Sequence, residues 1–227
     1  MALPSDVLLA FPTPILRRQI PGAEAVNPAL RRLVLERRDG DQGQRRSNAG
    51  DWHSREDLLT WQAPEIGQLD RWIRAGVADI TAAGGKAPPQ SVKVGQVVAW
   101  ANVNSRGDYN KVHDHPGFDW SGVYYVDAGS PPAAGTESGT IEFLDPRAGA
   151  GSKQIPGYDP GPKLKYQPRN GMMLIFPSWL WHLVQPYFGP AERISIAFNA
   201  RVAVARSVRV VARPAAKPEP GKPTRLH

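Results

Sequence analysis

The segment NKVHDHPGFDWSGVYYV, residues 110–126, carries His113 and His115, two of only five histidines in the chain. At i and i+2 on an extended segment both imidazoles leave the same face, while Asp114 between them points the other way. An HxH pair alone is also found in ordinary turns and on surfaces. His182, 67 positions beyond His115 in MMLIFPSWLWHLVQP, adds a third imidazole at the edge of another apolar run. A pair on one strand and a single residue on a distant strand is how a β-barrel offers three ligands to one face of a metal. Such a site leaves coordination positions open for substrate and oxygen, whereas a structural site closes them. The chain has no cysteine, so any metal would be held by nitrogen and oxygen alone.

Eleven positions after His182 comes Arg193, in RISIAFN. Along that run Arg193, Ser195, Ala197 and Asn199 share one face, and Ile194, Ile196 and Phe198 share the other. An arginine facing a barrel interior is costly unless it meets an anion. A guanidinium with a hydroxyl two residues on makes a fork for a carboxylate. The competing reading is an arginine on a solvated edge strand. Trp100, Asn102 and Asn104 alternate on one face of the strand before the histidine pair. Asn102 is a candidate for holding a carboxylate or a substrate amide, or it only satisfies neighbouring backbone. His53, in GDWHS, is either a substrate contact or a surface residue ahead of a helix. Trp179 and Trp181 flank His182 and read as wall or core, with Trp181 kept as a substrate candidate. Tyr124 and Tyr125 point to opposite faces, so at most one reaches the site, and Tyr124 is taken as the candidate. No paired-carboxylate or Ser/His/Asp signature accompanies these residues.

These side chains need strands to hold them. From about residue 90 the apolar period is two: SVKVGQVVAWANV, SGVYYV, GTIEFL, KLKYQ, MMLIF and RISIAFNARVAV are β-branched or aromatic runs separated by Gly, Pro and Asp clusters. Upstream, VLLAF and ILRRQI are short strand candidates. Asn27-Pro28 predicts a helix start followed by an apolar face of Leu30, Leu33 and Val34. Ser54 predicts the cap of a short helix through about Trp61. Ile66, Leu69, Ile73, Val77 and Ile80 predict a longer helix after Pro64, stopped by Gly84-Gly85. The fold expected is an all-β core with helices, a double-stranded β-helix (jelly roll) buttressed by N-terminal α-helices. Residues 1–212 read as one domain, with 1–89 supplying N-terminal strands and helices and 90–212 the β core. Residues 213–227 read as a disordered, basic, Pro-rich tail.

The formal charge of +7 is concentrated at one end. From residue 201 onward Arg201, Arg206, Arg209, Arg213, Lys217, Lys222 and Arg225 face Glu219 alone, leaving the body almost neutral. Sparse cations without interleaved aromatics argue against nucleic acid as a partner. No window reaches the roughly 20 apolar residues needed to span a bilayer, and the first residues lack a signal-peptide pattern. The expectation is a cytoplasmic protein, monomer or homodimer, with no membrane partner.

Together, HxH, a distant His and Arg-x-Ser resemble the Fe(II)- and 2-oxoglutarate-dependent oxygenases, and VVAWANVNSRGDYNKVHDH resembles their prolyl-4-hydroxylase-like branch. The likeness to bacterial and phage 2OG-Fe(II) oxygenases runs from about residue 8 to 201, through SNAGDWHS, WANV, HDHPGFDWSGVYYV, IEFLDPR, GMMLIFPSWLWH and RISIAFN. It implies Fe(II) on His113, His115 and His182, and 2-oxoglutarate chelating that iron. The distal carboxylate of the co-substrate would be held by Arg193 and Ser195, with Asn102 as a further contact, and dioxygen would be the oxidant. Hydroxylation of an unactivated C–H bond, with release of succinate and CO2, is the activity implied. The substrate would be an amino acid, a peptidyl residue or a small metabolite. One departure stands out: His115 occupies the place where most of the superfamily has a carboxylate, which leaves the centre richer by one positive charge. Asp114 is the alternative ligand, on the wrong face of a regular strand. A three-histidine cupin-like dioxygenase without 2-oxoglutarate, and a non-catalytic jelly-roll binding module, are the competing classes.

Overall fold

A computed structural model of the chain describes residues 6, 10–44, 46–84, 88–130, 136–150, 152 and 163–204. The tail at 213–227, and most of VLLAF, lie outside the described residues. The helical spacing after Pro64 becomes α2 (Pro64–Ala82), with Ile66, Leu69, Ile73, Val77 and Ile80 all buried. The other helix, α1 (Ala23–Asp39), begins upstream of the predicted Asn27-Pro28 start, after Gly22 in a left-handed conformation (φ 77°). Asn27 does not cap it. Its amide donates to the Val126 carbonyl (2.8 Å) and accepts from the Tyr124 hydroxyl (2.6 Å), so tertiary bonds claim the side chain that the sequence offers as a cap.

Among the described residues, eleven strands follow the period-two runs and add several short ones between them: β1 (Leu16–Gln19), β2 (Asn48–Ala49), β3 (Trp52–His53), β4 (Val92–Asn104), β5 (Tyr109–His113), β6 (Trp120–Asp127), β7 (Ile141–Leu144), β8 (Lys163–Tyr166), β9 (Met172–Pro177), β10 (His182–Val184) and β11 (Arg193–Val204). They form two sheets, one ordered β1-β9-β6-β11-β4-β3 and the other β2-β5-β10-β7-β8, with every pairing antiparallel. This is the jelly roll, with both helices on the outer face of the six-stranded sheet.

Alternation then sorts each central strand into two faces. On β11, Ile194, Ile196, Phe198 and Ala200 pack toward α1 and α2, together with Tyr124 and Val126 of β6 and Met173 and Ile175 of β9. The opposite faces, with Val123, Tyr125, Met172, Leu174 and Phe176, meet Ile141 and Phe143 of the other sheet. Gly122 leaves room for the Phe198 ring: a Cβ there would lie 2.3 Å from Phe198 Cζ and 2.6 Å from the Leu174 carbonyl oxygen. The short helix predicted from Ser54 is only a 3-10 turn, Leu58–Thr60. Ser54 is instead a tie between strands, its hydroxyl accepting from the Ala101 N–H (3.0 Å) and donating to the Arg55 carbonyl (2.8 Å). Among the described residues, no helix is long and apolar enough to cross a membrane.

Candidate metal centre

His113 closes β5 and His182 opens β10, and the two are direct cross-strand partners. Their ring centroids are 4.3 Å apart. His115 lies just past the end of β5, held by its own N–H to the Ser178 carbonyl (2.9 Å). Its ring centroid is 5.0 Å from that of His113 and 5.2 Å from that of His182. One nitrogen from each ring falls within 4.8 Å of the others, and these are the residues that could hold a metal ion among those described. Asp114 is outside this group.

Two of the rings have their tautomer set by backbone. His113 Nδ1 meets the Lys111 carbonyl at 2.6 Å, and His182 Nδ1 meets the Leu180 carbonyl at 2.9 Å. A carbonyl only accepts, so each Nδ1 carries the proton and each Nε2 keeps its lone pair. Burial pushes the pKa of all three imidazoles down; that of His115 falls to about 4, with the neighbouring His113 adding to the effect. Neutral imidazole is the form a metal needs. Phe143 and Phe176 pack against His182 with centroids at 6.0 and 4.7 Å, so one wall of the centre is apolar.

Arg193, 2% exposed, lines the same space as the three histidines. Its Nη1 donates to Asn104 Oδ1 at 2.9 Å, and its guanidinium lies over the Tyr125 ring, 5.2 Å from the centroid. No ion pair to a carboxylate neutralises it among the described residues. Leaving a buried guanidinium unpaired costs several kcal/mol. The unsatisfied polar atoms gather here: Arg193 Nε, Asn104 Nδ2, Asn102 Oδ1 and the Tyr125 hydroxyl are all buried without a hydrogen-bond partner. Both oxygens of buried Asp51, on the turn before β3, are also without one. Donors left unpaired at a cavity that the nitrogen triad also lines fit a small carboxylate.

The remaining sequence candidates divide. Ser195 and Asn102 line the cavity beside Arg193. His53, 4% exposed, also lines it; its Nδ1–H donates to the Ser54 carbonyl (2.6 Å), and its ring stacks on Trp100 at 5.4 Å and 15°. Trp100 in turn lies 5.9 Å from the His115 ring. Tyr124 corrects the expectation, because it faces the helices and bonds Asn27, while Tyr125 points into the cavity. Both faces of β6 are covered by apolar layers, so the sequence alone gave no sign of which tyrosine turns inward. Trp181 is 49% exposed and lies outside the cavity lining. Asn104 and Tyr125 are the site residues that the sequence reading did not single out. Asn104 was marked by its shared parity with Trp100 and Asn102.

Residues 98–199 match the family model described as "Putative 2OG-Fe(II) oxygenase". Among solved structures, the chain is similar to a prolyl-4-hydroxylase of Pseudomonas putida, with 17% identity over 82% of this chain and 91% of that one and a TM-score of 0.56. It is similar to a prolyl hydroxylase of Trichoplax adhaerens solved in complex with a hypoxia inducible factor peptide fragment, at 13% identity, 83% of both chains and a TM-score of 0.54. It is also similar to HygX of Streptomyces hygroscopicus, solved with nickel and 2-oxoglutarate bound, at 16% identity, 83% of both chains and a TM-score of 0.52. No curated protein matches. At these identities the solved structures speak for the fold. The stretch that matches the family model, a little under half of the chain, is the one that carries the histidine triad and the buried arginine together.

Proposed function

We propose that His113, His115 and His182 hold the iron through Nε2, and that Arg193, with Ser195, Asn102 and Tyr125, receives the distal carboxylate of 2-oxoglutarate. The observation that carries this reading is the buried, uncompensated guanidinium of Arg193 in the cavity that the triad lines. When bound, iron with 2-oxoglutarate and dioxygen supplies oxidation of an unactivated C–H bond, the co-substrate leaving as succinate and CO2. The chain's own residues do the rest. His113 and His182 are aimed by their carbonyl acceptors. Phe143 and Phe176 keep water from one side of the centre, where stray water would compete for open coordination positions. Arg193 fixes one end of the co-substrate so that its other end reaches the triad.

The substrate is an amino acid, a peptidyl residue or a small metabolite, and it enters past His53. That imidazole has its Nδ1–H committed to backbone, which leaves Nε2 for a donor on the substrate, and Trp100 offers a flat face beneath it. Two of the similar folds are prolyl hydroxylases, one of them bound to a peptide, which supports this range of substrates.

Calorimetric titration of Mn(II)-loaded protein with 2-oxoglutarate tests the clamp. Arg193→Ala should weaken 2-oxoglutarate binding by at least about 30-fold, the usual cost of truncating one partner of a buried charge pair. It should leave Mn(II) affinity in place. Unchanged 2-oxoglutarate affinity would move Arg193 to a structural role and favour a three-histidine dioxygenase that works without the co-substrate.

A further inference from the structure

His115 differs from its two partners in what holds its far nitrogen. His113 and His182 each direct Nδ1 at a backbone carbonyl, which can only accept. His115 Nδ1 instead meets a side-chain amide, the Nδ2 of Asn199, at 3.5 Å. The other end of that amide, Asn199 Oδ1, accepts from the Ser121 hydroxyl at 2.7 Å. Asn199 and Ser121 are direct cross-strand partners on β11 and β6, 6% and 1% exposed. Asn199 shares the cavity-side parity of Arg193 and Ser195.

A carbonyl enforces one tautomer, whereas an amide offers two. With Nδ2 toward His115, the ring accepts at Nδ1 and, being neutral, carries its proton on Nε2, so that nitrogen has no lone pair for a metal. With the amide turned over, Oδ1 accepts from Nδ1–H and Nε2 is freed. Ser121 satisfies both orientations, because a hydroxyl donates to Oδ1 in the first and accepts from Nδ2 in the second.

We propose that Asn199 is the positioning residue of the centre: its amide, backed by the two-way hydroxyl of Ser121, sets which nitrogen of His115 carries the proton and turns over when the metal enters. This rests on the reading of His115 as a ligand. The unloaded ring is held with Nε2 protonated, and the loaded ring with Nδ1 protonated. His113 and His182 form the permanent half of the site and His115 the half completed on loading.

The test is the affinity of full-length apo-protein for Co(II), by chelator competition, with the visible Co(II) spectrum as second readout. Asn199→Ala removes the acceptor and should weaken Co(II) binding by about 10- to 100-fold, the usual cost of losing the outer partner of a ligating histidine. It should also change the Co(II) bands. Asn199→Asp, which can only accept, should keep or tighten binding and restore the bands, a rescue that a purely structural role does not predict. Ser121→Ala should weaken binding less than Asn199→Ala. Wild-type affinity and spectrum in Asn199→Ala, or an Asn199→Asp variant as weak as Asn199→Ala, would overturn the proposal. His115→Ala separates the two levels: unchanged Co(II) affinity there would defeat the ligand reading itself, while a large loss there with none in Asn199→Ala defeats only the role of Asn199.

Discussion

Arg193 and Asp51 are buried ionisable residues of opposite type, and no ion pair joins them among the described residues. Burial pushes the Asp51 carboxyl up from 3.8 to about 7; the Asn48 amide and Arg193 pull it back, and the nearby Asp108 adds to the rise. A folded-state value raised above the unfolded one gives stability that is complete below the unfolded value of 3.8 and lost as pH climbs through about 7. Asp51→Asn removes that loss. Its melting temperature should exceed the wild type's at pH 8, the gap closing as pH falls into the ordinary carboxylate range, and the shift bounds the effect at roughly 4 kcal/mol. A constant gap across pH would mean that Asp51 stays charged in the fold. At this scale the sequence was informative where chemistry is rare: three histidines and one arginine stand out in a chain with no cysteine. It was silent on Asp51 and Tyr125, whose roles come from which neighbours fail to reach them.

The strands β6, β9 and β11 hold the site because each has two buried faces. On β11 small and polar side chains face the cavity and large apolar ones face the helices, whereas β6 and β9 turn apolar side chains to both sides. Gly122 leaves room for the Phe198 ring, and Gly122→Ala would force its Cβ to within 2.3 Å of that ring. Overpacking of this kind costs about 1–3 kcal/mol, so the melting temperature should fall by several degrees in a thermal scan. No loss would show that the sheet relaxes locally. The parity of RISIAFN was readable because both faces have a distinct chemistry. The start of α1 and the length of the Ser54 helix were not. Asn27 and Ser54 are good caps by type, but their polar atoms are drawn into bonds with β6 and β4, which no local rule anticipates.

Across the whole molecule, the helices cover one face of the six-stranded sheet and the second sheet covers the other, so the cavity opens between sheets. Every side chain assigned a role in the cavity lies between Ser47 and Asn199, whereas the basic excess lies from Arg201 onward. Deleting residues 214–227 should therefore leave iron and 2-oxoglutarate affinities unchanged, as measured by the same titrations. A large loss would give those residues a part in the site. The jelly roll was legible in the period-two runs, but the way short strands β5 and β10 bring His113 opposite His182 depends on a long-range register that the sequence does not encode locally.

The most direct measurement is an anaerobic titration of apo-protein with Fe(II) and then 2-oxoglutarate, followed in the visible range. A charge-transfer band that appears on the second addition, is absent in His182→Ala and fades in Arg193→Ala, is the expected result. Iron that binds with full stoichiometry in His113→Ala and His182→Ala, or wild-type iron that gives no band with 2-oxoglutarate, would contradict the three-histidine centre with its arginine clamp.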